Sequence, residues 1–365
     1  MMVTRRTVLA VGAGLAAGIG TVGRRAAAQD ASAGAAAATP VGVGPGVGAT
    51  VEVVARGLVN PRGFAWLPDG RMVVAEAGSG GATARVVAVE TDGTLTELLG
   101  GFPTARVVFR GVSGIADVAV DRDGALYALV AGGDINRDLA RNGLYRLDLA
   151  GGAELVADVS AFIRDDPVAT KPGDYDDDGQ PYRMGPTDEG DGYLVTEGNS
   201  CQLLRLGFDG SVSRIADYSA DHAIPTGLIP HGDEAFVATF TSAPFAPGSA
   251  RVDRVALADG AMATAVPDLT MVMDLAMGPG DTPWAVEMAS GFDPETGGPV
   301  PNSGRLLRLR LDQAAPMVEG LHLPAHLRIG EVGPDDPRPA FYVSGPALGA
   351  DDGSGTVIRI TLPDL

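Results

Sequence analysis

The chain has 365 residues, 45% of them hydrophobic but only 5% aromatic, which is enough apolar material for one large core or several stacked small ones. Its formal net charge is −19 with a single lysine, Lys171, so no basic surface can neutralise phosphates and nucleic acid is excluded as a partner. The one cysteine, Cys201, rules out an intramolecular disulfide.

Residues 1–28 read as an address. Paired Arg5 and Arg6 precede a mildly apolar run, Val8–Val22, diluted by four glycines, and Ala26–Ala28 offers an A-x-A cleavage site. This pattern predicts a twin-arginine export signal and a periplasmic, cell-surface or extracellular protein. The run falls short of the ~20 predominantly apolar residues of a permanent membrane helix, so no span is expected after cleavage; an uncleaved anchor is the alternative. Removing Arg5, Arg6, Arg24 and Arg25 takes the net charge from −19 to −23. Acidity of that size keeps an exported chain soluble. Residues 29–50, rich in Ala, Gly and Pro, read as a flexible linker.

From Val51 to Leu365 the texture changes to short β-branched runs broken by Asp-Gly, Gly-Gly and Pro turns. Asn60–Glu76, NPRGFAWLPDGRMVVAE, holds an apolar strand, an Asp-Gly turn and a second strand ending on an acid. Copies recur with anchors at Gly63, Asp117, Arg183, Gly227, Asp274 and His326, at steps of 54, 66, 44, 47 and 52 residues. Each copy continues into a third strand with an Arg-Val or Leu-Arg rhythm, such as Arg85–Val89 or Arg305–Leu309, and usually a fourth. The last copy stops after its third strand, Val357–Ile360, and Val51–Ala55 supplies the missing one. The pattern predicts an all-β, six-bladed propeller closed by a strand from the N-terminal side, leaving no open sheet edge. A seventh blade hidden in the long step from 117 to 183 is the rival. The copy after His326 looks irregular between Ile329 and Ala340.

At NPRGFAWLPDGRMVVAEAGSGG, LVADVSAF, Asn199–Arg205 and PTGL…FVATFTSAPFAPGSARV the chain resembles the ScyD/ScyE family, and more loosely NHL-type and gluconolactonase-type blades. The resemblance spans about residues 51–365 and implies a secreted six-bladed propeller; it carries no catalytic residues to transfer. Gln180–Met184 departs from that family's pattern.

In a propeller the first strand of each blade lines the central channel, so the anchors define an axial ring. Asp117, Asp274 and His326 are candidate catalytic residues, a histidine beside a carboxylate being able to act as a general base. Arg62, Tyr182, Arg183 and Thr226 are candidate ligand contacts. Mutual pairing of these groups across the channel is the structural alternative. Glu76, Glu197 and Glu287 close the second strands of three blades, where an acid accepts backbone N–H bonds, or where three could form a metal collar. Asp174, Asp176 and Asp178 satisfy D-x-D-x-D-G, the first half of a calcium loop. The twelfth position is Gly185 rather than Glu, so a full EF-hand is excluded and Ca²⁺ remains a candidate only with ligands from elsewhere. Trp66 and Trp284 are expected to pack between blades. Together these readings predict a monomeric exported propeller that binds a polar small molecule or extracellular polymer, with a metal ion as candidate cofactor. A lactonase-like hydrolase or lyase using channel Asp and His is one alternative, and a protein-interaction platform another.

Overall fold

The computed structural model describes residues 48–363 apart from 108–110, 134–139, 242–244 and 334–335. The predicted export signal and all but the last three residues of the predicted linker lie outside the described residues.

Six antiparallel sheets follow one another along the chain as the blades of a propeller. Blade one runs Pro61–Trp66, Met72–Glu76, Gly81–Val89 and Leu95–Arg106, with Val112–Ser113 as a short fifth strand. Blade two is Ile115–Val120, Leu126–Val130, Gly143–Asp148 and Gly152–Asp158. Blade three is Pro181–Pro186, Gly192–Glu197, Gln202–Gly207 and Val212–Asp217. Blade four is Ala223–His231, Glu234–Thr241, Ala250–Ala256 and Met262–Leu269. Blade five is Val272–Gly278, Thr282–Glu287, Gly304–Arg310 and Gln313–Leu321. Blade six combines His326–Gly333, Asp336–Gly345 and Gly355–Thr361 with Thr50–Leu58, which pairs Val51 with Ile360 and Val53 with Ile358. Closure by the N-terminal strand is as the repeat count predicts.

The second strands explain the architecture. All of Met72–Glu76 and all of Gly192–Glu197 are buried, because both faces of an inner strand are covered by neighbouring blades. Third strands keep an in–out alternation, as in Gly143–Asp148. Apolar side chains therefore gather in six layers, one per blade interface. Between blades one and two, for instance, Val73, Val86, Ile115 and Val118 pack together. Trp66 meets Tyr342 edge-on at 5.0 Å between blades one and six, and Trp284 meets Phe341 at 4.3 Å between five and six.

Among the described residues the long step after Asp117 contains no seventh sheet. It holds a short helix, Val159–Asp165, whose first turn is capped by Asp158 accepting from the Ala161 N–H at 2.8 Å, and then an acidic insertion before Pro181. Blade six pairs without a break from His326–Ser344 to Glu331–Pro339, and a register shift follows between Glu331 and Gly333, inside the stretch that looked irregular in the sequence.

Candidate functional site

The axial ring is built by a recurring defect. In blades one to five the first strand carries a register shift just before or at the anchor, between Ile115 and Asp117, Pro181 and Arg183, or Val272 and Asp274 for example. Such bulges re-aim a side chain, here toward the axis. Blade six has none at His326.

Asp117 and Asp274 are fully buried, and two arginines link them into a closed ring of alternating charge. Arg183 donates from Nη1 to Asp117 Oδ2 at 2.9 Å and from Nε to Asp274 Oδ1 at 2.8 Å. Arg328 donates from Nη2 to Asp117 Oδ1 at 2.8 Å and from Nη1 to Asp274 Oδ2 at 3.2 Å. Backbone N–H groups complete each carboxylate: Val118 and Met184 on Asp117, Leu275 and Leu327 on Asp274. Gly63 and Gly227 make room for this. A Cβ on Gly63 would sit 1.7 Å from Asp117 Oδ1, and one on Gly227 would meet Leu275 N at 2.6 Å. Burial alone would raise the Asp274 carboxyl, but the guanidiniums of Arg183 and Arg328 outweigh it and hold it well below the usual carboxylate range. Arg183 is pulled down by burial and lifted further by Asp274 and Asp117, so its guanidinium stays charged.

Asp117 and Asp274 are committed to two guanidiniums and two N–H donors each, so neither has lone pairs free to hold a cation. Arg328 was not foreseen; it lies two residues after the anchor His326, and strand alternation places both on one face.

Above the quartet, toward the end where the first strands begin, the arrangement is less complete. The Tyr182 ring stacks on His326 at 4.8 Å, and its hydroxyl donates to Ala325 O at 2.9 Å, tying blade three to blade six. His326 is fully buried, and burial lowers its pKa against the opposing pull of Asp274, so the imidazole is neutral. Its Nδ1 lies 3.4 Å from Asp274 Oδ2, too far and too poorly aligned for a hydrogen bond, and neither ring nitrogen has a hydrogen-bond partner. Arg62 is 8% exposed and donates only to backbone carbonyls, Pro61 O at 3.1 Å and Val112 O at 2.9 Å. Among the described residues no carboxylate pairs with it, and burial lowers its pKa. Thr226 is spent structurally, its hydroxyl donating to Val272 O at 2.7 Å.

A seventh apolar cluster, which belongs to no blade interface, borders the same end and includes Ala325. Three of its members, Phe245, Met271 and Leu323, have positive φ (56°, 47° and 44°), a conformation costing a non-glycine residue about 1–2 kcal/mol. Two shallow surface grooves of about 380 and 310 Å³ lie elsewhere, and no ring residue lines either.

The three glutamates do structural work. Glu76, Glu197 and Glu287 are all fully buried, and each accepts the N–H of the residue seventeen positions earlier, at the approach to its blade's first strand: Val59, Gln180 and Thr270. Glu76 and Glu287 also pair with Arg85 and Arg305, while Glu197 takes the Ser200 hydroxyl and N–H. They sit in three separate blades with separate partners.

The acidic loop does not converge either. Asp178 Oδ1 accepts from Arg164 at 3.0 Å, Asp174 Oδ1 faces His222 Nε2 at 2.9 Å, and Asp176 Oδ1 accepts the Asp178 N–H. Among the described residues no group of three or more His, Cys, Asp or Glu is arranged to hold a metal ion.

No protein-family model and no curated protein sequence matches the chain. Solved structures do. A gluconolactonase of Xanthomonas campestris aligns with TM-score 0.57 at 17% identity, over 90% of this chain and 96% of that one. A Thermus thermophilus protein assigned as an oxidoreductase of glucose dehydrogenase type aligns with TM-score 0.55 at 20% identity, over 86% and 100%. An α-L-arabinofuranosidase of Fusarium graminearum aligns with TM-score 0.53 at 11% identity, over 86% and 98%. At these identities the likeness is one of fold: the class is the six-bladed propeller shared with gluconolactonase-like proteins. Three neighbours with three chemistries show that function must be argued from the site.

Proposed function

We propose that this is an exported, monomeric propeller of the ScyD/ScyE kind that binds a polar extracellular ligand at the Arg62–Tyr182–His326 end of its channel. One observation carries the reading: Arg62 is a buried cation with only carbonyl partners, whereas the other two axial arginines are both neutralised by Asp117 and Asp274. A guanidinium out of water is stabilised when an anion completes its hydrogen bonds. The closed quartet gives the site a floor. The paired arginines at the start of the chain and the small-residue cleavage motif support export. No helix in the described residues is long and apolar enough to cross a membrane. The test is the melting temperature of the domain with acidic and neutral probes, gluconate and 3-phenylpropionate against glucose. An anion is expected to raise it, and Arg62→Gln to abolish the rise. A response to glucose equal to that of both anions, or none to any probe, rejects the reading.

A lactonase-like reading keeps one observation in its favour, the neutral His326 beside Asp274. Its metal-free form has His326 acting as a general base once Tyr182 moves aside. Hydrolysis of a sugar lactone by the wild type, lost in His326→Gln, would support it; no turnover in either would remove it.

A further inference from the structure

The channel end that carries Arg62 and Tyr182 adjoins the seventh apolar cluster through Ala325. Tyr182 and Arg62 come from blades three and one. From blades four, five and six come Phe240, Phe245, Met273, Phe292 and Leu348, all half-buried against the seventh apolar cluster. The aromatic members touch one another, Phe240 to Phe245 at 5.7 Å and Phe245 to Phe292 at 5.4 Å. The two sides meet at Ala325, which belongs to the cluster and accepts the Tyr182 hydroxyl. Ala347 N donates to Leu323 O at 2.6 Å and Met288 N to Met271 O at 2.9 Å, so backbone bonds hold the apolar loops onto blades five and six.

We infer that the ligand of this site is an amphipathic anion, with one carboxylate-like group for Arg62 and an apolar or aromatic body for the Phe245–Phe292 side. The inference rests on the ligand-binding reading above and deepens it. Among the described residues Arg62 is the one axial cation that no carboxylate neutralises, which sets the complement at a single negative charge. Beneath it, His326 is fully buried with both ring nitrogens unpartnered, which marks the polar side as built for a group the protein does not itself supply. A sugar acid would satisfy Arg62 but would press its hydroxyls against phenylalanine, where they lose water and find no partner. An aromatic body gains instead from leaving water. The net charge of −19 opposes any anion at long range. Salt screens that field within about 10 Å, so the local contact decides affinity.

The test is calorimetric titration of the domain with four probes: 3-phenylpropionate, 3-phenylpropanol, gluconate and glucose. The expected result is that 3-phenylpropionate binds about tenfold or more tightly than the other three. Phe292→Ser, on a small hairpin outside the blades (Phe292–Asp293 with Gly298–Pro299), is expected to weaken 3-phenylpropionate and leave gluconate unchanged. Gluconate binding as tightly as 3-phenylpropionate, and through Arg62, overturns this inference while the axial reading stands. 3-Phenylpropanol binding as tightly as the acid shows that charge plays no part and overturns both. Absence of binding by every probe also overturns both. Should Arg62→Gln fail to fold, the acid–alcohol comparison and Phe292→Ser still decide.

Discussion

The two halves of the axial ring begin alike and end differently. Gly63, Asp117 and Arg183 from blades one to three correspond to Gly227, Asp274 and His326 from blades four to six. Each glycine admits the next blade's aspartate, and each aspartate accepts its own following N–H and one from the third blade, Met184 or Leu327. In the first half the third anchor is itself the arginine. In the second it is a neutral, unpartnered histidine, and the arginine arrives from two residues further on. A histidine at that anchor is not needed to neutralise the aspartates, because Arg328 already does so. The departure from the repeat falls on the side of the channel where the proposed ligand site lies.

The largest effect should come from breaking what the halves share. Asp274→Asn or Asp117→Asn strands half the charge of two buried arginines, and urea denaturation should show a loss of about 3–5 kcal/mol. A loss below about 1 kcal/mol would mean that the quartet is solvated and the channel open. Next come the struts outside the ring. Glu76→Gln removes the buried one of Arg85's two carboxylate partners, Glu97 being the other, and weakens the bond from Val59, for an expected loss of about 1.5–3 kcal/mol.

A pH series sharpens the contrast between Arg183 and His326. Burial lowers the folded pKa of His326, so the stability it contributes is present above its unfolded value, near 6.5, and is lost as pH falls below that. Asp274, depressed in the fold, contributes stability that is present above about pH 4 and is lost as pH falls further. Glu197 and Glu287, pushed up by burial, run the opposite way, but they are common to wild type and variant. The difference in urea midpoint between wild type and His326→Gln should therefore widen in the variant's favour as pH drops from 7 to 5. A constant difference would show that His326 titrates alike in the folded and unfolded chain, and a shift in the wild type's favour would show that it is already protonated in the fold. The smallest effect is expected from calcium: the melting temperature of the wild type and of Asp176→Ala/Asp178→Ala should not respond to added Ca²⁺, since Asp178 serves Arg164 and Asp174 faces His222. A rise in the wild type alone would restore the calcium loop.

Blade number, closure and the axial positions were legible because a repeat forces equivalent residues into equivalent places. Asp117, Arg183 and Asp274 could thus be put on one axis from spacing alone. Their pairing could not, because it depends on Arg328, which sits off the anchor position and reaches back with a long side chain. The D-x-D-x-D-G signal shows a related limit: a motif fixes backbone spacing, while Arg164 and His222, distant in sequence, engage Asp178 and Asp174. The apolar cluster at the mouth left almost no trace in the sequence. Phe245, Met271, Phe292 and Leu323 lie in loops with no periodicity, and only tertiary structure gathers them.

The central claim is that axial charge is closed at the quartet and left open at Arg62. Calorimetric titration of wild type and Arg62→Gln with 3-phenylpropionate and gluconate tests it most directly. Saturable one-to-one binding of an anion to the wild type, weakened about tenfold or more in a variant that melts normally, is the predicted result. Equal affinity in the two proteins, or no anion bound by either, would contradict it.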